Sequence, residues 1–163
     1  MAKVDIVGAR GKIADPKALV GSLQALSEGR GLALNADFVC GRDHLRSAIA
    51  HAERAFERGR NVSTTLEMET MLYASGERQI SKATEKIGIE EGTEHLAMIL
   101  FDCQDADGLL LSLGLTRDDS VLESSPTKIM KFGISRREME AVPEEDWPDL
   151  VLERVAFVEL QKR

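Results

Sequence analysis

The chain has 163 residues, of which 43% are apolar, and this is enough for one compact domain with a hydrophobic core. No apolar run approaches the roughly 18 residues of a membrane span and the N-terminus lacks a signal-peptide pattern, so we expect a cytoplasmic protein without membrane contact. The net charge of −7 argues against a general nucleic-acid binder.

Charge is unevenly distributed along the chain. Residues 1–88 contain 13 Lys and Arg against 11 Asp and Glu, whereas residues 89–163 contain 8 against 17. We therefore expect any RNA-binding surface on the first half, which leaves the acidic second half free for a protein partner.

The first 40 residues predict a strand, a helix and a second strand. Val4 and Ile6 mark the first strand, and Asp15 is predicted to cap a helix that starts at Pro16. Apolar residues then alternate with other residues over 32–38, which is the period of a half-buried strand. Asn35 and Asp37 share its less apolar face, where side-chain hydrogen bonds at a strand-end turn are one interpretation.

The next helix is predicted to be capped by Asp43 and to bury Leu45 and Ile49. His44 and His51 are seven residues apart on this helix, about 10 Å along its axis, which is too far for them to share a metal ion unaided. We interpret them as partly buried or surface histidines. The lone cysteines, Cys40 and Cys103, are interpreted as small buried apolar residues, with disulfide or metal roles unexpected.

Two helices are predicted to meet at Gly76. Apolar residues recur at helical spacing on both sides of it: Leu66, Met68, Met71 and Leu72 before it, and Ile80, Ala83 and Ile87 after it. Gly76 lies where a helix ends in the left-handed conformation that glycine adopts without strain. Ser63 or Thr64 is predicted to cap the first helix, with Glu67 completing a capping box.

The second of these helices is predicted to carry a basic stripe. With Ile80, Ala83 and Ile87 buried, the side chains of Arg78, Lys82 and Lys86 fall together on the opposite, solvent-facing side. A helix start at Gly76 and Glu77 would offer unpaired backbone N–H groups beside this stripe for phosphate or sugar oxygens. The alternative is a plain helix corner with a solvated basic edge, in which Glu85 pairs with Lys82.

The second half predicts two further strands and several short helices. The apolar run 96–101 is typical of a strand covered on both faces. The spacing of Asp102, Asp105 and Asp107 fails as a calcium loop, and Asp105 is predicted to cap a short helix instead. Pro126 is predicted to start a helical turn, and residues 155–160 are predicted to form the last strand.

This order of elements predicts an α+β fold. We expect a single domain over residues 1–163, with a small, mostly antiparallel sheet of about four strands packed by several helices.

The stretch Leu72–Ile80 resembles the signature of the small non-catalytic subunit of the KEOPS complex, the PRPK-binding-protein family. The resemblance continues, in the expected order, through four further segments: Leu34–Asp37, His44–Leu45, Asp119–Leu122 and Leu152–Ala156. It implies an α+β accessory subunit that binds a small kinase-like ATPase. It also implies that tRNA is held by its CCA end while the complex makes threonylcarbamoyladenosine, with the chemistry in another subunit and without a cofactor, metal ion or small-molecule substrate in this one.

We assign candidate residues on this basis. The RNA-binding candidates are Asn35, Ser75, Gly76, Arg78, Gln79, Lys82 and Lys86. The partner-binding candidates are Leu122, Ile129, Met130, Phe132 and Ile134, because Met and aliphatic side chains on short helices often form partner surfaces. A protein-interaction module that regulates the kinase without touching RNA is the main alternative, and an enzyme is the weakest, since we find no triad, metal-ligand cluster or paired carboxylates.

Overall fold

A computed structural model of the chain describes residues 3–162. They form two compact units, which we call the sheet unit (residues up to 37, and 88–122) and the helical unit (residues 38–87, and from 123 onward). The strands are β1 (Val4–Arg10), β2 (Arg30–Asn35), β3 (His95–Phe101) and β4 (Thr116–Arg117). The helices are α1 (Pro16–Gln24), α2 (Arg42–Glu57), α3 (Leu66–Ser75), α4 (Ile80–Ile87), α5 (Ala106–Ser112), α6 (Pro126–Phe132), α7 (Arg136–Glu140) and α8 (Trp147–Gln161), with short 3-10 turns at Ala36–Phe38, Asp119–Leu122 and Glu144–Asp146.

The sheet unit contains a four-stranded antiparallel sheet in the order β2-β3-β1-β4. β3 is central and is buried from Leu96 to Phe101, as its unbroken apolar run predicts. Alternate positions of β3, starting at Leu96, pack with Leu19 and Leu23 of α1 and with Leu110 of α5 in one hydrophobic core. Asp15 and Asp105 cap α1 and α5, which confirms both predicted caps.

The helical unit packs α2, α3 and α8 against one another, with α4 on α3 and with α6 and α7 on α8. A second core lies among α6, α7 and α8, and its members include Ile129, Phe132, Met139 and Val151. Trp147 packs against this core, and its indole N–H donates a hydrogen bond to the Met139 carbonyl. The predicted α+β class is therefore confirmed, with helices dominating one unit.

The predicted last strand is wrong. Residues 155–160 belong to α8, whose buried positions are Val151, Val155 and Val158. Their spacing of four and three is the helical period, which outweighs the strand preference of β-branched residues. The fourth strand is instead the two-residue β4, which pairs with β1 at Ala9.

Two predicted helix starts in the helical unit are also displaced. α2 begins at Arg42 after Gly41, without a side-chain cap, so Asp43 lies inside the helix. α3 is capped by Thr65, which accepts a hydrogen bond from the Met68 amide, rather than by Ser63 or Thr64. None of the helices between residues 3 and 162 has the length and apolar content needed to cross a membrane.

Candidate functional site

The corner between α3 and α4 is built on Gly76. This residue ends α3 with φ +73°, and its amide donates to the Tyr73 carbonyl at 3.1 Å. A methyl group at this position would lie 3.2 Å from Cζ of Phe132 and 3.6 Å from Cβ of Arg154. The corner therefore needs glycine for its left-handed backbone and for the close approach of α6 and α8, as the sequence predicts for the backbone.

His44 holds the C-terminal end of α3 through a buried hydrogen bond to Ala74. Its ring is only 1% exposed; Nδ1 accepts the Cys40 amide at 3.0 Å, and Nε2 lies 2.7 Å from the Ala74 carbonyl. Since the Cys40 N–H must donate to Nδ1, the proton of the neutral ring is on Nε2 and is donated to Ala74. Burial lowers the pKa of His44 to about 4, and the prediction of a partly buried or surface histidine is wrong at this position.

The backbone N–H groups at the corner are used within the protein. The Glu77 amide donates to the Ser75 hydroxyl at 3.0 Å, and that hydroxyl donates to the Leu72 carbonyl at 2.7 Å. α4 begins only at Ile80. The predicted anion site on unpaired N–H groups at Gly76 and Glu77 is therefore wrong, and the buried Ser75 side chain acts within the corner instead of reaching a ligand.

The exposed edge of the corner consists of Arg78, Gln79 and Lys82, whose side chains face solvent. Lys86, the predicted third member of the basic stripe, is half-buried. Its ammonium lies 4.0 Å from the Phe132 ring centroid and 3.9 Å from Oε1 of Glu77. Burial lowers the pKa of Lys86. This cation therefore stabilises the corner through Phe132 and Glu77 and is not a solvent-facing member of the stripe.

Asn35 belongs to the sheet unit, whereas the six other RNA-binding candidates belong to the helical unit. Its side-chain oxygen accepts the Asp37 amide at 3.0 Å, the strand-end turn that the sequence predicts. The groove beside it is strongly acidic; its lining includes Asp37, Glu90, Glu91 and Glu94. Carboxylates repel phosphate, so this environment disfavours an RNA contact by Asn35.

Four of the five partner-binding candidates are core residues. Leu122, Ile129, Phe132 and Ile134 are each at most 2% exposed, and the last three belong to the core of the helical unit. Only Met130 presents an apolar side chain to solvent. The other four side chains are therefore not exposed members of an apolar surface in this structure, because apolar residues on short helices are more often used to fill a core.

A different apolar surface lies on α8. Phe157 and Leu160 are 51% and 59% exposed, and they are adjacent on the helix because they are three residues apart. Val155 and Val158 point the other way, into the unit. The strand predicted for residues 155–160 concealed this surface, although the helical spacing of the buried valines indicates a helix.

A buried ion pair that was not predicted from the sequence holds the end of α8. The Lys162 ammonium contacts the fully buried Glu69 carboxylate, which also accepts the Ser63 hydroxyl and amide, and it lies 4.5 Å from the Tyr73 ring centroid. Tyr73 also stacks on His51, with 5.2 Å between the ring centroids. The contacts of Lys162, Glu69, Tyr73 and His51 join α2, α3 and the end of α8. No group of three metal-ligating side chains suited to a metal ion occurs within residues 3–162.

Two comparisons relate the chain to known proteins. The family model "Kinase binding protein CGI-121" matches residues 13–151. The regulatory protein Cgi121 of Methanocaldococcus jannaschii is 31% identical over 131 residues, which cover 79% of this chain and 83% of that protein. Both matches include the corner and most of the helical unit.

Proposed function

The chain belongs to the CGI-121 family of kinase-binding proteins, and we propose that it is a non-catalytic cytoplasmic subunit of the KEOPS complex. In this proposal it binds the kinase-like ATPase of the complex and recruits tRNA by its CCA end for threonylcarbamoyladenosine modification. The single observation that carries the RNA part is the exposed edge formed by Arg78, Gln79 and Lys82 at the corner. Arg78 and Gln79 lie in the stretch Leu72–Ile80 that resembles the family signature.

This edge suits an unpaired RNA end. Arg78 and Lys82 have no ion-pair partner within the described part of the chain, so phosphate contacts would not break existing pairs. Gln79 is exposed between them and offers an amide that donates to and accepts from base edges. Single-stranded ends are recognised by such base-edge hydrogen bonds and by stacking, which a small rigid surface can supply.

The kinase-binding part is assigned to the exposed face of α8. Phe157 is the one aromatic side chain among the exposed large apolar residues that the structure describes, and buried aromatic residues dominate the energetics of many interfaces. We infer that the kinase covers Phe157 and Leu160.

A binding experiment tests the RNA part. Intact tRNA and tRNA without its CCA end should differ in affinity for the isolated protein, and Arg78→Ala/Lys82→Ala should weaken binding of the intact tRNA. Lys12→Ala/Lys17→Ala removes the same charge from exposed positions of the sheet unit and is the matched control. Equal affinity for both tRNAs would contradict recognition of the end.

Phe157→Glu tests the kinase part. The exposed position predicts a change in unfolding free energy within about 0.5 kcal/mol, whereas a carboxylate in an apolar contact should reduce kinase capture by at least about tenfold. Val20→Glu is the control, because Val20 is also an exposed apolar residue but lies on α1 of the sheet unit. Unchanged capture by the folded Phe157→Glu protein would remove α8 from the interface.

A second function, kinase regulation without RNA binding, is favoured by a specific observation. The N–H groups of Gly76 and Glu77 are paired within the chain, so the corner lacks the backbone anion site that its sequence suggests. In this case the wild-type protein would bind the kinase but show no affinity for either tRNA.

A further inference from the structure

One segment of the acidic half is locally basic. Residues 126–137 contain four basic residues and no Asp or Glu, although the whole chain has a net charge of −7. The four are Lys128, Lys131, Arg136 and Arg137. The segment includes α6 and the start of α7, both in the helical unit.

The fold places the end of α6 directly on the corner. The Phe132 ring lies under the Lys86 ammonium, and its Cζ is the nearest atom to a methyl group built at Gly76. At the next residue of the chain, a methyl group at Gly133 would lie 3.9 Å from the Lys86 nitrogen. Because consecutive Cα atoms are about 3.8 Å apart, the Cα of Arg136 lies within about 15 Å of that of Phe132.

Three cations of this segment are available to a ligand. Lys131, Arg136 and Arg137 are exposed, and none of them has an ion pair or hydrogen bond to its side chain among residues 3–162. Two nearby carboxylates are engaged, since Glu138 pairs with Arg154 and Glu77 with Lys86. On the C-terminal side, Glu140 and the acidic turn Glu144–Asp146 are exposed.

We propose that Lys131, Arg136 and Arg137 extend the corner into one RNA-binding surface, on which they hold the backbone phosphates of the strand that leads to the unpaired end. This inference rests on the proposed function, since it needs RNA at the corner. A protein whose overall charge repels RNA gains most from a local concentration of unpaired cations. Arginine suits the role because its planar fork donates two parallel hydrogen bonds to phosphate.

The test compares Arg136→Ala/Arg137→Ala with the matched control Lys12→Ala/Lys17→Ala in binding of full-length tRNA over a range of salt concentrations. Removing the cation that holds one phosphate of a single strand should make the negative slope of log affinity against log salt shallower by about 0.7, which is roughly a fivefold loss of affinity at about 0.1 M salt. The double variant should therefore bind about 25-fold more weakly at about 0.1 M salt, and its negative slope should be shallower by about 1.4. The control should bind like the wild type.

The outcomes separate this inference from the proposed function. Failure of the wild-type protein to bind tRNA contradicts both. Wild-type binding that depends on the CCA end, with the double variant equal to the control, overturns only the extended surface. If the double variant captures less kinase but binds tRNA like the wild type, the extended RNA surface is also overturned, and the segment is a protein-docking surface instead. If the double variant does not fold, Lys131→Ala replaces it: about a fivefold decrease in affinity supports the surface and wild-type affinity refutes it.

Discussion

Acidification should destabilise the protein through His44. The neutral ring satisfies both of its nitrogens, because Nδ1 accepts the Cys40 N–H and the Nε2 proton is donated to the Ala74 carbonyl. A second proton on Nδ1 would face the Cys40 N–H and would place a charge at a site that is 1% exposed. Lys86 and Lys128 also disfavour that charge, although burial is the largest cause of the lowered pKa.

The sign and size of this change in stability follow from the linkage between proton binding and folding. In the unfolded chain His44 binds a proton below its ordinary pKa of 6.5, whereas in the folded chain it does so only below about 4. The unfolded state therefore takes up the extra proton between these values, and the stability present above pH 6.5 is lost as the pH falls toward 4. Between about pH 8 and about pH 4.5 this single group should lower the unfolding free energy by about 2.5 kcal/mol.

The assay is urea unfolding followed by circular dichroism at several pH values, on the wild type and on His44→Gln. Glutamine retains a donor and an acceptor but does not titrate, so the variant should start less stable and lose less on acidification. His51, whose pKa burial also lowers, is present in both proteins and cancels in the comparison. Parallel pH profiles for the two proteins would refute the assignment of a buried neutral His44.

Four further substitutions test the corner and its support. Glu69→Gln leaves the Lys162 ammonium buried without a counter-charge and should lower the unfolding free energy, measured with urea, by about 3–5 kcal/mol. A urea midpoint equal to that of the wild type would show that this pair is not buried in solution. Gly76→Ala places a side chain at positive φ and should cost about 1–2 kcal/mol, so an unchanged melt would argue against the left-handed cap. Ala83→Glu buries a carboxylate and should cost several kcal/mol, whereas Arg78→Glu should stay within about 0.5 kcal/mol of wild type; equal thermal shifts would contradict the orientation of α4.

Local signals predicted the sheet unit well. The cap at Asp15, the cap at Asp105 and the buried run of β3 each depend on residues close in sequence. The left-handed end of α3 at Gly76 was predicted for the same reason. Patterns of this kind have physical causes within one or two helical turns, so they survive the packing of the rest of the chain.

The helical unit was harder because distant packing decides it. Ile80, predicted to be buried, is half-buried, and the fully buried residues of α4 are Ala83 and Ile87. Nothing near Lys86 in sequence indicates that the Phe132 ring centroid lies 4.0 Å from its ammonium, which removes this cation from the solvent-facing stripe. The apolar residues of α6 were assigned to a partner for the same reason, since a core that forms among α6, α7 and α8 leaves no local signature.

α8 connects the two proposed surfaces physically. Arg154 packs against Gly76 at the corner, while Phe157 and Leu160 face solvent about one and two turns further along the same helix. A ligand on one surface can alter affinity at the other only if it binds differently to two positions of α8. The buried contact between Lys162 and Glu69 opposes a shift of this helix, because moving it would separate two charges away from water. We therefore expect kinase and RNA to bind independently, so that a short RNA ending in CCA has the same affinity for the free protein and for its kinase complex.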